Sequence, residues 1–256
     1  MSEGLRERKK RQTRRHIAAV ATGLFVERGF DHVTIAEVAE AAEVSVNTVY
    51  NYFQTKEDLV LPPDEASPMR LALIVRERPA GLTPARAVLE HLRAEVRRRD
   101  RAVGLTDGFP RVLEMMRAAP TLTARLNDLG RAMTKELAKE LAREAGGVAE
   151  AAEVGLSGGG ESSGAGDLVV GGAGADVGTA WRSAAEEAAG AEGTAGLLGE
   201  LVAWQLGSVH ALVYGEIGER VSAGQQPEEI AAAVLRLLDG VEEVLGERVL
   251  TFGGVK

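Results

Sequence analysis

Apolar residues recur along this chain at intervals of three and four, the spacing of one face of an α-helix, whereas the period-two alternation of β-strands is rare. We therefore expect an all-α fold class, with helices at about residues 8–28, 34–41, 45–53, 121–146, 197–221 and 227–246. Two more are expected between them: one starts at Pro84 and carries Val88 to Val96, and the next is bracketed by Pro110 and Pro120. The first three helices form a compact amino-terminal domain at 1–60. The remaining helices form a second domain at 61–256.

Local signals fix where the first helices begin and end. Thr34 and Glu37 have the spacing of a capping box, and Ser45 can cap the next helix. Gly29 is a helix stop, and a second box that starts at Thr55 predicts a further helix from there. Two short helices joined by a tight connection predict a helix-turn-helix over about residues 33–53.

The second helix of this motif has one apolar side and one polar side. Val49 and Phe53 are expected to hold it on the core, which turns outward Val46, Asn47, Thr48, Tyr50 and Asn51. Small and polar groups on a helix suit the major groove of DNA, where Asn pairs with adenine and a Thr methyl group contacts thymine. We expect phosphate contacts from Tyr50, Tyr52 and Lys56.

Charge is distributed unevenly over a chain whose net charge is −8. Residues 1–16 carry seven basic and two acidic side chains, so a basic arm at 6–15 precedes the motif and favours phosphate or minor-groove contact through Arg11 and Arg14. Residues 146–196 are rich in Gly, Ala and acidic side chains. They predict a flexible insert.

Composition excludes several classes of protein. The chain has no cysteine, which excludes disulfides and thiolate chemistry, and 45% hydrophobic residues suffice for a core. A charged amino terminus does not have the pattern of a secretory signal, and we expect no membrane-spanning segment and a cytoplasmic location. His16, His32, His91 and His210 lack metal-ligand spacing, so neither a metal nor another cofactor is predicted.

The order of motifs across residues 12–60 resembles the TetR-type repressor family. The resemblance covers about a fifth of the chain, and the residues that carry it are 12–17 (QTRRHI), 34–39 (TIAEVA), 44–45 (VS), 48–53 (TVYNYF) and 56–59 (KEDL). It implies a homodimer bound to a near-palindromic double-stranded DNA operator. It also implies DNA contacts from Thr34, Ser45, Asn47, Thr48, Tyr50, Tyr52 and Lys56.

The same resemblance implies roles for the second domain. The last two helices would form a four-helix dimer interface, for which the apolar stripes offer Leu206, Leu212, Val234, Leu237, Leu238 and Val241. A cavity for a small-molecule effector would control the spacing of the two DNA-reading units. Its candidate lining residues are His91, Phe109, Met116, Met133, Trp204 and His210, several of which are equally suited to plain core positions.

One residue departs from the family pattern. The turn of the motif usually holds Gly where this chain has Glu43. If the backbone there has positive φ, a side chain costs on the order of 1 kcal/mol.

Two alternatives to a ligand-responsive repressor remain open. The first is an enzyme that uses His91 or His210 as a base, although no nucleophile or acid–base constellation accompanies them. The Gly-x-Ser-x-Gly match at 155–159 lies in a Gly/Ser tract and lacks the strand and helix of a nucleophile elbow. The second alternative is a regulator that answers a protein partner through the acidic insert.

Overall fold

The computed structural model describes residues 4–61, 66–99, 103–106, 108–156 and 191–253. These residues form an all-α structure without strands. The helices are α1 (Leu5–Arg28), α2 (Ile35–Ala41), α3 (Val46–Tyr52), α4 (Arg70–Arg76), α5 (Pro84–Arg98), α6 (Phe109–Ala118), α7 (Pro120–Leu156), α8 (Ala191–Ser222) and α9 (Pro227–Leu250). A 3-10 turn, Glu57–Leu59, follows α3.

Several helix ends differ from those expected. The box at Thr55 does form, but it opens only the 3-10 turn. Helix α7 continues through Gly146 and Gly147 to Leu156, and α8 already begins at Ala191, so the flexible insert predicted over 146–196 is wrong at both ends. Its middle, 157–190, lies outside the described residues. Helix α9 also passes Gly246, where φ is 70° and the helix is kinked.

The first apolar core holds together residues 5–61, which we call the head. Its largest buried side chains include Ile17, Phe25 and Leu59, and the rings of Phe25 and Phe30 meet edge to face with centroids 5.0 Å apart. Met115 and Leu122, at the junction of α6 and α7, are buried in the same core. The head is thereby packed against the start of α7.

The second core is built by α4, α5, α7, α8 and α9, which we call the body. Helices α7 and α8 approach closely where α8 has glycine. A Cβ atom on Gly207 would lie 2.2 Å from Oγ1 of Thr134, and one on Gly199 would lie 3.3 Å from the backbone nitrogen of Ala142. Two ion pairs tie α4 and the residues that follow it to α7, Arg76–Glu140 and Arg78–Glu144.

Helix α8 is more apolar than composition led us to expect. Gly196–Ser222 is long and apolar enough, by length and composition alone, to cross a membrane, with a mean hydropathy of 1.2 over its most apolar window. Length and composition alone do not decide whether it spans a membrane, so the expectation of no such segment stays a prediction. About a third of that window is buried inside the chain, less than in a core helix, and several of its other apolar side chains lie on the surface.

Candidate nucleic-acid interface

Helices α2 and α3 form the predicted helix-turn-helix, and each begins at a capped residue. Thr34 Oγ1 accepts a hydrogen bond from the Glu37 backbone N–H at 3.2 Å, and the Glu37 carboxylate accepts one from the Thr34 backbone N–H at 2.8 Å. The bonds that the Thr34 backbone N–H and the Thr34 hydroxyl donate to this carboxylate lower the pKa of Glu37. Ser45 Oγ accepts from the Thr48 backbone N–H at 3.0 Å. The predicted caps are confirmed.

The turn between the helices has the backbone geometry that glycine favours. Glu43 has φ of 55°, one of two non-glycine residues with positive φ in the described part of the chain. The Val44 backbone N–H donates to the Ala39 carbonyl at 2.9 Å and closes the turn. Glu43 is exposed, so its carboxylate lies in solvent beside the start of α3.

Helix α3 presents the expected face to solvent. Val49 and Phe53 are buried, whereas Val46 is 41% exposed and Tyr50 is 55% exposed. Asn47 and Asn51 are also exposed, and Thr48 and Tyr52 are half-buried. Exposed polar side chains on a short helix anchored from behind give a surface that fits a major groove.

Lys56 lies differently from the other proposed phosphate contacts. Its ammonium donates a hydrogen bond of 2.5 Å to the carbonyl oxygen of Phe30 and lies over the rings of Phe30 and Phe25, 4.4 and 5.6 Å from their centroids. This geometry ties the end of the motif to the loop after α1. The sequence alone gave no sign of that internal role.

The basic arm is a helix rather than an extended strand. Helix α1 begins at Leu5, and its first buried residue is Ile17, so about 18 Å of basic helix precedes the head core. The Arg14 guanidinium lies 5.5 Å from the centroid of the Phe53 ring. A helix is too wide for the minor groove of B-DNA, so the form of this segment favours contact with the phosphate backbone.

An ion pair joins the head to the body. The Arg125 guanidinium, on α7, donates to Asp58 Oδ1 at 2.9 Å, while Asp58 Oδ2 accepts from the Thr55 backbone N–H at 3.1 Å. Sequence analysis missed this pair because its members are far apart along the chain.

The two histidines proposed to line an effector cavity share one polar cluster in the body, which we call the α4–α5–α8 cluster and define as Arg70, His91, Glu95 and His210. Arg70 and His91 both contact Oε1 of Glu95. Burial acts to raise the pKa of Glu95, but hydrogen bonding to His91 and the charge of Arg70 outweigh it and the pKa is lowered. Glu95 lies four residues after His91 on α5, which is the one signal that sequence reasoning had available.

The other proposed cavity residues do not join this cluster. Met133 is buried in the body core, and Phe109 packs partly against that core, with its ring beside Gly104. Met116 packs against the head core, and Trp204 is 58% exposed on the outer side of α8. Met116 and Trp204 therefore do not lie with the histidines, and their part in an effector cavity stays a prediction.

The outer side of α8 and α9 is an exposed apolar surface, which we call the outer face. A groove of about 800 Å³ runs along it, lined by side chains that include Trp204, Leu212, Leu237, Val241 and Val244. Leu197, Leu198 and Leu201 extend the exposed apolar side chains along α8. An apolar area of this kind on one side of a protein marks an interaction surface.

Three of the predicted dimer contacts are wrong. Leu206, Val234 and Leu238 are completely buried inside a single chain, where they pack in the body core. Leu212, Leu237 and Val241 do lie on the outer face. The buried and the exposed residues belong to apolar stripes on the same two helices, so only the packing of the folded chain distinguishes them.

No group of three or more His, Asp or Glu side chains within the described ranges is arranged to hold a metal ion.

Three comparisons relate the chain to known proteins. The family described as Bacterial regulatory proteins, tetR family, matches residues 17–61. The chain is 32% identical over 146 residues to the HTH-type transcriptional regulator TcmR of Streptomyces glaucescens, a match that covers 56% of this chain and 65% of TcmR, slightly under two thirds. It is 45% identical over 47 residues to the HTH-type transcriptional regulator LuxR of Vibrio harveyi, covering 18% of this chain and 23% of LuxR.

Among solved structures, the chain is similar to native NalD of Pseudomonas aeruginosa, the secondary repressor of the MexAB-OprM multidrug efflux pump. The TM-score is 0.44 and the sequence identity 17%, over 90% of this chain and 96% of NalD.

Proposed function

We propose, from the match of residues 17–61 to the tetR family of bacterial regulatory proteins, that the chain is a sequence-specific DNA-binding transcriptional regulator that acts as a repressor. The observation that carries the proposal is the exposed polar face of α3, capped by Ser45 and anchored by Val49 and Phe53. This is the arrangement that a recognition helix requires. TcmR and LuxR, to which the chain is similar, are also transcriptional regulators.

Roles follow for the individual side chains. Asn47 and Asn51 read base edges, with Val46 and Thr48 in apolar or polar contact beside them. Tyr50, Tyr52 and the amide groups at the starts of α2 and α3, beside Thr34 and Ser45, bind phosphates. Arg11 and Arg14 add charge from the basic helix, and Lys56 supports the motif from within.

The functional unit is a homodimer joined through the outer face. Two copies related by a twofold axis would cover the exposed apolar side chains of both α8 helices and both α9 helices, including Trp204 and Leu212. A dimer also presents two recognition helices to the two half-sites of a near-palindromic operator. Such a protein works in the cytoplasm, where the DNA is.

A small molecule bound in the body releases the operator. It does so by favouring a conformation in which the two heads are no longer spaced for the half-sites, which requires that it bind the two conformations with different affinities. The polar α4–α5–α8 cluster, which has two buried polar atoms without a hydrogen bond beside the apolar side chains of the body core, is the place in the body best equipped to recognise such a molecule.

An enzyme that uses His210 as a base is the weaker proposal. Burial lowers the pKa of His210 to about 4, which makes its imidazole a poor proton acceptor at neutral pH. His91 is committed to the carboxylate of Glu95. A regulator controlled through the acidic insert would depend on residues 157–190, and deleting them should leave the response to a small molecule intact.

The test is binding of the full chain to DNA immediately upstream of its own gene, by fluorescence anisotropy at several salt concentrations. We expect a Kd of about 10⁻⁸ M or tighter, with scrambled DNA of equal length bound about a thousandfold more weakly. Equal and steeply salt-dependent binding to both DNAs would contradict sequence-specific recognition at that site, because it reports only phosphate neutralisation.

A further inference from the structure

Glu95 has one carboxylate oxygen without a partner. The residue is 4% exposed, and both Arg70 and His91 address the same atom, Oε1. Oε2 is buried and has no hydrogen bond. A charged oxygen that is removed from water and has no hydrogen-bond donor is unfavourable. Two donors at Oε1 and none at Oε2 therefore need an explanation.

His210, across the cluster on α8, has a matching atom. Its Nε2 is buried without a hydrogen bond, and its ring stacks on Tyr214 with centroids 4.5 Å apart. Helix α5, which carries His91 and Glu95, packs directly against α8. The charges of these two side chains and of Arg70 act on the imidazole of His210. Burial lowers its pKa to about 4, and the ring is neutral near pH 7.

Charge decides which group would satisfy both atoms. Arg70 and Glu95 already balance each other, so an anion would be repelled by the carboxylate and a cation would add an unbalanced charge beside Arg70. A neutral hydroxyl avoids both penalties. It donates one hydrogen bond and accepts another, so it can donate to Glu95 Oε2 and accept from His210 Nε2–H.

We propose that the α4–α5–α8 cluster recognises a neutral hydroxyl group, alcoholic or phenolic, on an otherwise apolar effector. The apolar part of the molecule follows from the surroundings: Leu71, Leu92 and Val209, neighbours in sequence of the cluster residues, belong to the body core. This inference rests on the ligand-responsive regulator proposed above and gives the chemical class of its effector.

The position of Arg70 couples effector binding at the cluster to the end of α4 that is nearer the head in the chain. Arg70 is the first residue of α4, the helix that follows the head in the chain, and its ion pair with Glu95 holds that end of α4 on α5. A hydroxyl bound to Glu95 competes for the charge of this carboxylate. The hold on the start of α4 is thereby weakened, while Arg76 at the other end remains paired with Glu140.

The test uses four naphthalene probes of one shape and the full-length wild-type chain, with binding measured by equilibrium dialysis at pH 7. The probes are 2-naphthol, naphthalene, 2-naphthoate and 2-naphthylmethylammonium. We expect 2-naphthol to bind about tenfold or more tightly than the other three, as one hydrogen bond to a charged group allows. No binding of 2-naphthol would overturn the proposal. Equal binding of 2-naphthol and naphthalene would also overturn it, because the apolar groove of the outer face would then be enough to explain the binding of both.

Variants locate the site. His210→Phe keeps a ring beside Tyr214 but removes Nε2, and Glu95→Gln removes the charge; each should reduce 2-naphthol affinity to the level of naphthalene. Gln205→Met is the matched control, since Gln205 Oε1 on the same helix is also buried without a hydrogen bond but lies by the outer groove. Unchanged affinity in His210→Phe, or an equal loss in Gln205→Met, would overturn the assignment. If Glu95→Gln does not fold, His210→Phe decides alone.

Binding of the probes is measured without DNA, so the two proposals fail separately. Operator binding without a preference for 2-naphthol would contradict the proposed hydroxyl site but not the proposed regulator. A preference for 2-naphthol that depends on His210, without sequence-specific DNA binding, would support the hydroxyl site but contradict the proposed regulator.

Discussion

Asp58 in the head and Arg125 on α7 form an ion pair in which Arg125 Nε lies 2.9 Å from Asp58 Oδ1. The second oxygen of the same carboxylate caps the turn at Thr55. One side chain therefore both completes the local structure of the head and fixes it to the long helix of the body. A movement of α7 has a direct polar connection to the base of the DNA-reading motif.

We expect Asp58→Ala to lower the free energy of unfolding by about 1–2 kcal/mol, because it removes both the cap and the partially exposed ion pair. Arg125→Ala removes only the pair and should cost less than about 1 kcal/mol. Urea denaturation measures both. Arg131→Ala, which breaks an exposed pair with Asp128 on the same helix, is the control and should have almost no effect. Equal losses in Asp58→Ala and Arg125→Ala would contradict the double role of Asp58.

Glu43 offers a stabilising substitution. Because its φ is 55°, Glu43→Gly should raise the free energy of unfolding by about 0.5–1 kcal/mol. Glu43→Ala keeps the strain and removes only the charge, so its stability should stay close to that of the wild type. Both variants should bind DNA more tightly at low salt, since both remove a carboxylate beside α3. A gain in stability as large in Glu43→Ala would show that charge, not backbone conformation, is the cause.

Substitution of Lys56 tests whether this residue stabilises the fold or contacts DNA phosphates. Lys56→Met keeps the apolar stem but loses the hydrogen bond to Phe30 and the attraction to two rings, so we expect it to lower the free energy of unfolding by about 1–3 kcal/mol. The salt dependence of DNA binding should not change. Lys10→Met, on the exposed start of α1, should do the reverse: unchanged stability and a salt slope smaller by about 0.9. A reduced slope in Lys56→Met would restore this lysine as a phosphate contact.

Asn47 tests direct reading of the sequence. Asn47→Ala should lose about 1–3 kcal/mol of discrimination at one base position of the operator and little at the others. Tyr52→Phe is the comparison, because loss of a phosphate contact should weaken binding to all sequences alike. Competition binding with every single-base operator variant measures both. An unchanged preference at every position in Asn47→Ala would refute the assignment.

The outer face predicts the oligomeric state. Sedimentation should find the wild-type chain as a dimer at micromolar concentration, and Leu212→Glu as a monomer, because the new carboxylate would be buried without a partner. Leu73→Glu, an equally drastic change at an exposed leucine on α4, should leave the dimer intact. Dissociation of Leu73→Glu would point to a different interface, and a dimer of Leu212→Glu would exclude the outer face.

The parts of the structure that depend on neighbours in sequence were predictable. Thr34 and Ser45 signal their caps through residues three positions away, and the spacing of Val49 and Phe53 orients α3. Local hydrogen bonds and helical periodicity are enough for these features. The unusual backbone at Glu43 was indicated only by the family resemblance, in which Gly usually holds this place in the turn.

The parts that depend on distant neighbours were not predictable. Helix α8 is apolar on more than one side, so periodicity could not tell buried Leu206 from exposed Leu212. The pairing of Arg70 with Glu95 and the return of Lys56 to Phe30 join residues 25 and 26 positions apart. Gly146 is a stop signal only if tertiary packing does not favour continuing the helix, and in α7 the helix continues.

The contact between Gly207 and Thr134 constrains how the two longest helices can evolve. With 2.2 Å between Oγ1 and the place of a Cβ atom, an alanine at 207 is admissible only if position 134 loses its branched side chain or the helices separate. Mutations at the two positions should therefore be accepted as a pair, with a smaller residue at 134 arising before a larger one at 207. Substitutions on the outward side of α8 meet no comparable contact within the chain and can occur in any order. The two sides of this helix are therefore under different steric constraints.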